Sequence, residues 1–256
     1  MFRFLSFFFV LLSGWLPLAA KAPTPTGPSP ITIAAAADLK YVLDSLVTIF
    51  NRQHPQARAM VVYGSSGKFY EQLSHGAPFD LFFSADADYP RRLQQAGRTA
   101  SAPTPYALGR LVLWSKKLNP NTLGMKTLLA PQVKHVAIAN PAHAPYGRRA
   151  EEALHYYKLY DQVQSKLVLG ENIGQTAQYA ATGAADAGVL AYSLALSPEL
   201  RRAGHFYLIP AAAHAPLQQS YVVLKRAQGN ATATAFAAFM ASPTARQALK
   251  KYGFGL

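Results

Sequence analysis

Residues 59–74 of the chain read AMVVYGSSGKFYEQLS. A short apolar run (60–63) leads through the polar turn Gly64-Ser65-Ser66-Gly67 into a segment with the pattern of a helix (69–74). A buried strand followed by a tight turn and a helix is the repeating unit of a parallel α/β sheet. The unpaired N–H groups at the start of such a helix, with the two serine hydroxyls, also make this turn a candidate anion site.

Similar units flank this one on both sides. Upstream, ITIAAA (31–36) has the pattern of a buried strand, and the segment after it (39–52) places its apolar residues on one helical face, with Asp38 at the N-cap position. Downstream, FDLFF (79–83) predicts a third strand, and a helix is expected from about residue 88 to 96. The order β-α-β-α-β-α predicts a doubly wound, mostly parallel sheet.

The rest of the chain predicts a second α/β lobe. A β-like run at 107–114 starts a different sheet, strands and helices alternate again up to the apolar strand at 187–191, and two helices close the chain. We therefore predict two lobes, each a doubly wound and mostly parallel sheet. Lobe 1 takes residues 31–106 with 220–256, and lobe 2 takes residues 107–219.

Composition and the N-terminus restrict the classes of function. The net charge is +13, but the basic residues are scattered in ones and twos, so no nucleic-acid partner is predicted. The chain contains no cysteine, which removes disulfides and thiol catalysis. Residues 1–22 predict a cleaved secretory signal and residues 23–30 a proline-rich spacer, so the mature protein is expected to be exported, soluble and periplasmic.

Two enzymatic readings of the Ser65-Ser66 turn fail on spacing. A nucleophile elbow needs G-x-S-x-G, but the residue after Gly67 is Lys68, so the second glycine is misplaced. A phosphate-binding P-loop needs a first glycine where Val62 stands and a serine or threonine where Phe69 stands. The turn is therefore a helix cap or part of an oxyanion site, and the turn alone favours the cap.

Two further turns between a strand and a helix occur in the second lobe. NPAHAPYG (140–147) follows one strand, and the hydroxyl or N–H of Tyr146 could reach an anion there. ENIGQ (171–175) follows another strand, and Ile173 could contribute only its backbone N–H. Proline and glycine equally well shape the first loop without a ligand. The seven histidines lack the spacing of a zinc site, and we find no catalytic set.

These turns, in this order, resemble the periplasmic molybdate-binding proteins of ABC-type importers, which are bacterial extracellular solute-binding proteins. The resemblance covers nearly the whole mature chain, and the matching segments are AAAADLK (34–40), YGSSGKFYEQL (63–73), GAPFDLFFSADADY (76–89), ANPAHAPYG (139–147), GENIGQ (170–175) and KKYGF (250–254). It implies a two-lobed periplasmic-binding-protein fold of type II, with two crossover strands as the hinge. It also implies capture of molybdate or tungstate between the lobes and delivery to a membrane permease, by a monomer with no cofactor and no catalytic activity.

The resemblance implies anion contacts at Asp38, Ser66, Tyr146 and Ile173, with Ser65 adjacent; the molybdate group itself would be held through Ser66 and Ile173. Two positions depart from the family pattern. Asp38 stands where some members carry a serine hydroxyl, which leaves its backbone N–H as the contact. Ala191 stands where some members have a tyrosine, and Tyr192, one residue later, should point to the other side if the strand continues.

Two alternatives stay open at this stage. The same fold could bind another oxyanion, such as sulfate or phosphate, because the choice depends on cavity size. A secreted serine hydrolase using Ser66 is the alternative from another class, against which the misplaced glycine and the lack of a histidine partner count.

Overall fold

The computed structural model describes residues 29–256, which form ten strands and ten α-helices. The strands are β1 (Ile31–Ala36), β2 (Ala59–Gly64), β3 (Leu81–Ser84), β4 (Thr104–Gly109), β5 (Leu111–Ser115), β6 (Val136–Ala139), β7 (Leu167–Gly170), β8 (Ala187–Ala191), β9 (His205–Leu208) and β10 (Leu217–Val223). The helices are α1 (Lys40–Gln53), α2 (Ser66–Ser74), α3 (Asp88–Gln95), α4 (Pro145–Tyr156), α5 (Tyr160–Val163), α6 (Ile173–Thr182), α7 (Tyr192–Ala195), α8 (Pro198–Ala203), α9 (Ala231–Met240) and α10 (Pro243–Lys251).

The strands form two five-stranded sheets, one in each lobe. The order in lobe 1 is β2-β1-β3-β10-β4, and the order in lobe 2 is β7-β6-β8-β5-β9. The three strands predicted first, β1 to β3, run parallel, and so do β6, β7 and β8, whereas β10 and β5 run antiparallel to their neighbours. The predicted two-lobed α/β fold, with mostly parallel sheets, is confirmed.

Burial of apolar faces explains why the lobe 1 elements form where the sequence predicts them. β1 is buried along almost its whole length, as the apolar run at 31–36 requires for a central parallel strand. One face of α1 buries Val42, Leu43, Leu46 and Phe50 against this sheet. The lobe 2 core is formed in the same way around Trp114, which lies fully buried on β5.

The chain crosses between the lobes twice. The run at 107–114, predicted as one β-like segment, is divided between β4 in lobe 1 and β5 in lobe 2, with the break at Arg110. Gly109 is needed at this break because a Cβ there would lie 2.5 Å from the Tyr146 hydroxyl. The return crossing lies between β9 and β10. The strands of the lobe 1 sheet therefore lie within residues 31–109 and 217–223, and the predicted bounds of lobe 1, 31–106 with 220–256, stay a prediction.

The predicted signal segment (1–22) and most of the predicted spacer (23–30) lie outside the described residues. Within residues 29–256, no helix has both the length and the apolar character needed to cross a membrane.

Candidate functional site

The four turns singled out in the sequence meet in one small cavity between the lobes. The empty space within it, including the part open to solvent, is about 200 Å³, and its lining carries no lysine, arginine or histidine side chain. Its lining comprises Ala36, Ala37, Asp38, Gly64, Ser65, Ser66, Ala85, Ala144, Pro145, Tyr146 and Ile173. Larger clefts exist, such as one of about 910 Å³ beside β4, but that cleft contains none of the four turns. The cavity is therefore built from helix starts instead of basic side chains.

Ser66 is placed to donate a hydrogen bond into the cavity. It is the first residue of α2 and is 1% exposed. Its Oγ accepts a hydrogen bond of 3.0 Å from the backbone N–H of Ala85, which follows β3. Because that bond uses a lone pair, the hydroxyl proton remains free for a ligand.

Ser65 instead joins the two lobes. Its Oγ donates to the backbone carbonyl of His143 at 2.7 Å and lies 2.9 Å from Nδ1 of the same residue. A hydroxyl has one proton, so a Ser65 that donates to the carbonyl receives its second bond from Nδ1–H. A histidine that donates through Nδ1 cannot accept a proton from Ser65. The serine hydrolase alternative depends on Ser66, and within residues 29–256 no histidine is hydrogen-bonded to Ser66, so the geometry does not favour that alternative. The hydrogen bonds between Ser65 and His143 therefore connect lobe 1 to lobe 2.

Asp38 is held in the cavity by several hydrogen bonds. It is 1% exposed, and its Oδ2 accepts hydrogen bonds from Gln219 Nε2 at 2.6 Å and from the Tyr146 hydroxyl at 3.0 Å. Burial raises the pKa of the Asp38 carboxyl to about 6, although the bonds from Gln219 and Tyr146 act in the opposite direction. The backbone carbonyl of Asp38 accepts from Ser193 Oγ at 2.8 Å.

Tyr146 enters the cavity from lobe 2, at the second position of α4. Pro145 stands at the first position, where its missing N–H costs no helical bond. The ring is 2% exposed, and burial together with the nearby Asp38 carboxyl raises the pKa of the Tyr146 hydroxyl well above its ordinary value. The hydroxyl therefore stays protonated and acts as a donor.

Ile173 is the first residue of α6, where its side chain packs into the lobe 2 core and its N–H faces away from the helix. Asn172 caps this helix, since its Oδ1 accepts from the N–H groups of Gly174 at 2.9 Å and Gln175 at 3.0 Å. The cap does not use the N–H of Ile173, which remains available at the cavity wall.

Ala191 and Tyr192, the two further candidates, do not line the cavity. Ala191 is fully buried in the lobe 2 core at the end of β8. Tyr192 begins α7, and its ring lies under the Arg110 guanidinium, 5.3 Å from charge to ring centre, and against Phe206. Because β8 ends at Ala191, the side chain of Tyr192 is carried to a separate cleft beside α10.

Sequence reasoning missed the residues that connect the site to the rest of the molecule. Gln219 is fully buried on β10; besides its bond to Asp38, its Oε1 accepts from the Tyr106 hydroxyl at 2.6 Å. Arg148 on α4 bridges the lobes through Asp86 at 2.6 Å and the Tyr89 hydroxyl at 3.2 Å. The sequence carried one weak signal, since Gln219 is a polar residue next to the apolar run Tyr221-Val222-Val223 of the same strand.

Comparison with known proteins agrees with this architecture. The family model for bacterial extracellular solute-binding proteins matches residues 31–255. The chain is 38% identical over 194 residues to a molybdate-binding protein of Rhodobacter capsulatus, which covers 75% of each protein. It is 33% identical over 245 residues to a molybdate-binding protein of Azotobacter vinelandii, covering 95% of this chain and 94% of the relative.

A solved structure gives the same result. The periplasmic molybdate-binding protein of Azotobacter vinelandii superposes with a TM-score of 0.81 at 32% identity, over 88% of this chain and 99% of that one. The family model spans both sheets and all four turns of the cavity. The chain therefore belongs to the bacterial extracellular solute-binding protein family.

Proposed function

We propose that this protein captures molybdate, or tungstate, between its two lobes and delivers it to the permease of an ABC importer. The observation that carries the proposal is the interlobe cavity, which is lined by helix starts and hydroxyl groups and has no basic side chain in its walls. The two relatives and the solved structure described above, all molybdate-binding proteins, support the choice of ligand.

The chemistry of the cavity suits a tetrahedral dianion. Free N–H groups and the positive end of the helix dipole lie at the starts of α2, α4 and α6, and such helix starts attract anions without a full positive charge. Each donor to a charged group contributes roughly 1.5–3 kcal/mol. Several such donors, converging from both lobes, favour the closed form when the anion is bound.

The proposed contacts follow from the positions of the residues. Ser66 donates its hydroxyl, and Ile173, Tyr146 and Asp38 donate their backbone N–H groups, with Ser65 beside them; the Tyr146 hydroxyl proton is already given to Asp38. These groups meet the oxygen atoms of the anion, so none of them is a ligand of its metal atom.

The protein acts by binding and release, without catalysis. Since the family consists of extracellular solute-binding proteins, the chain is expected to be exported. We also propose that it works as a monomer and needs no cofactor besides its ligand. Closure around the crossovers, at Arg110 and between β9 and β10, would present a different surface to the permease than the open form.

Isothermal titration of the mature protein tests the proposal. We expect 1:1 binding of sodium molybdate and sodium tungstate, and little or no heat with sulfate or phosphate. A thermal-shift series with the same salts is the parallel measurement, because a ligand of the native state raises the melting temperature. Preference for sulfate or phosphate would replace the proposed ligand within the same fold, and no response to any oxyanion would refute the proposal.

A further inference from the structure

Asp38 has one carboxyl oxygen that the protein leaves without a partner. Oδ2 accepts two hydrogen bonds, from Gln219 and Tyr146. Oδ1 is fully buried and has no hydrogen bond of normal geometry within residues 29–256, although the backbone N–H groups of Asp38 and Leu39 lie close enough to the carboxyl to lower its pKa. The residue lines the interlobe cavity. A buried polar atom without a partner costs free energy, unless a ligand supplies what is missing.

No cation of the described residues compensates this carboxyl. The titratable neighbours are two tyrosines, Tyr146 on α4 and Tyr106 on β4, and the pKa of each is raised by burial and by Asp38. From α1, the Lys40 ammonium pairs with Asp44 at 3.1 Å instead of turning to Asp38.

The other elements around Asp38 offer no compensating charge either. Tyr63 on β2 also bonds to Asp44, Gln219 and Ser193 are neutral, and α6 contributes no charged side chain to the cavity. His143 is the titratable group at the cavity edge, and its two nitrogens face Ser65 and Glu171.

An oxyanion bound beside the ionised Asp38 carboxylate would place two hydrogen-bond acceptors in contact unless one of them gains a proton. An ionised carboxylate and a dianion are both hydrogen-bond acceptors only, so an Oδ1 in contact with an anion oxygen would have no proton between the two atoms. Two negative groups in a site of low dielectric also repel strongly.

We propose that Asp38 binds the anion as a neutral carboxylic acid that donates from Oδ1, so that capture of the dianion takes up one proton. The inference rests on the proposed function, since it concerns the oxyanion held in that cavity. Oδ2 can keep both of its hydrogen bonds in this form, because the proton resides on the other oxygen.

The sign of the pH dependence follows from linkage. A group whose pKa is higher in the bound form than in the free form takes up a proton on binding, and affinity falls as the pH rises above the free-state pKa. The pKa of the buried free carboxyl is about 6, and opening of the lobes would lower it towards its ordinary value. Either way, the Kd is expected to rise about tenfold for each pH unit between neutrality and the higher pKa of the bound form, above which it levels off.

Isothermal titration with sodium molybdate on the unmodified protein is the primary test. At about pH 7.5, in buffers of different ionisation enthalpy, we expect the slope of heat against that enthalpy to report uptake of about one proton per anion. Between about pH 7.5 and 8.5, we expect an increase in Kd of about tenfold. Molybdate binding without proton uptake overturns this inference and leaves the proposed function standing; absence of binding to any oxyanion overturns both.

Two variants assign the proton to a residue. D38N supplies a permanent amide donor, so its proton uptake should fall to near zero and its Kd should stay constant within about twofold over the same pH range. H143N removes the other titratable group at the cavity edge, and its proton uptake should remain at about one. Uptake that persists in D38N and disappears in H143N would place the proton on His143 and refute the assignment.

Discussion

Replacing Arg148 with methionine tests whether contacts between the lobes set the affinity without touching the ligand. Arg148 lies on α4 of lobe 2, and its guanidinium bonds to Asp86 at 2.6 Å and to the Tyr89 hydroxyl at 3.2 Å, both in lobe 1. Its charge also lies 5.5 Å from the centre of the Tyr89 ring. Methionine keeps the length of the apolar stem and removes all three interactions.

The magnitude follows from the exposure of the two partners. Hydrogen bonds between charged groups contribute roughly 1.5–3 kcal/mol when buried. The Asp86 side chain is 8% exposed but that of Arg148 is 36% exposed, so solvent screening reduces the contribution to about 1–2 kcal/mol. Arg148 and Asp86 are both solvated when the lobes separate, so R148M removes the free energy of their interaction from the closed form only. The Kd for molybdate should therefore rise about 5- to 30-fold.

Isothermal titration measures this change, and the neighbouring arginine provides the control. Arg149 pairs with Glu152 on the same helix, so that pair does not connect the lobes. R149M should therefore change the Kd by less than about twofold, and thermal melting should show that both variants are folded. Equal effects of R148M and R149M, or no effect of R148M, would refute closure through this contact.

Three further predictions concern the helix starts of the cavity. S66A should weaken molybdate binding by about 1–3 kcal/mol while the protein stays folded, although the melting temperature should fall because the buried N–H of Ala85 loses its acceptor; an unchanged Kd in titration would mean that Ser66 serves only to hold that N–H. G67A should abolish tight binding, because a Cβ there would overlap the His143 carbonyl oxygen of lobe 2; it would also lie 2.7 Å from the Tyr89 hydroxyl of lobe 1, so circular dichroism and thermal melting must first show that the variant is folded. Tight binding by a folded G67A would contradict the closed geometry. N172A and N230A each remove an N-cap and should lower stability by about 1 kcal/mol in chemical denaturation, but only N172A, which supports the start of α6, should weaken binding.

Elements with strong periodicity could be predicted from the sequence, and weak ones could not. β1, β8, α9 and α10 lie where their patterns place them, within a residue or two. β9, α7 and α8 were missed because they have only four to six residues and their local sequences carry little periodic signal. The division of the run at 107–114 between two sheets was also missed, since both halves are apolar and the change of sheet depends on contacts with distant residues.

In the candidate site, too, the local features could be predicted from the sequence and the contacts between distant residues could not. The turns at Asp38, Ser66, Tyr146 and Ile173 could be recognised because a helix start is a local feature of the sequence, and the structure brings all four to one cavity. Their partners could not be recognised, because the bond between Gln219 and Asp38 joins residues 181 positions apart. The contribution of each residue to anion binding stays a prediction for the titrations above.

Asp38 connects anion capture to lobe closure more directly than its position in a single turn indicates. Its side chain and its backbone carbonyl accept bonds from Tyr146 and Ser193 of lobe 2, and Gln219 joins the same carboxyl to Tyr106 on the other crossover strand. A carboxylate can hold these donors at neutral pH, but it opposes a dianion in the same cavity. A proton on Oδ1 removes that opposition and leaves Oδ2 to hold the lobes together, because the two oxygens serve different partners. Asp38 therefore has two roles: its ionised form weakens anion binding at high pH, and its hydrogen bonds stabilise the closed form. D38N should remove the pH dependence of the Kd without separating the lobes.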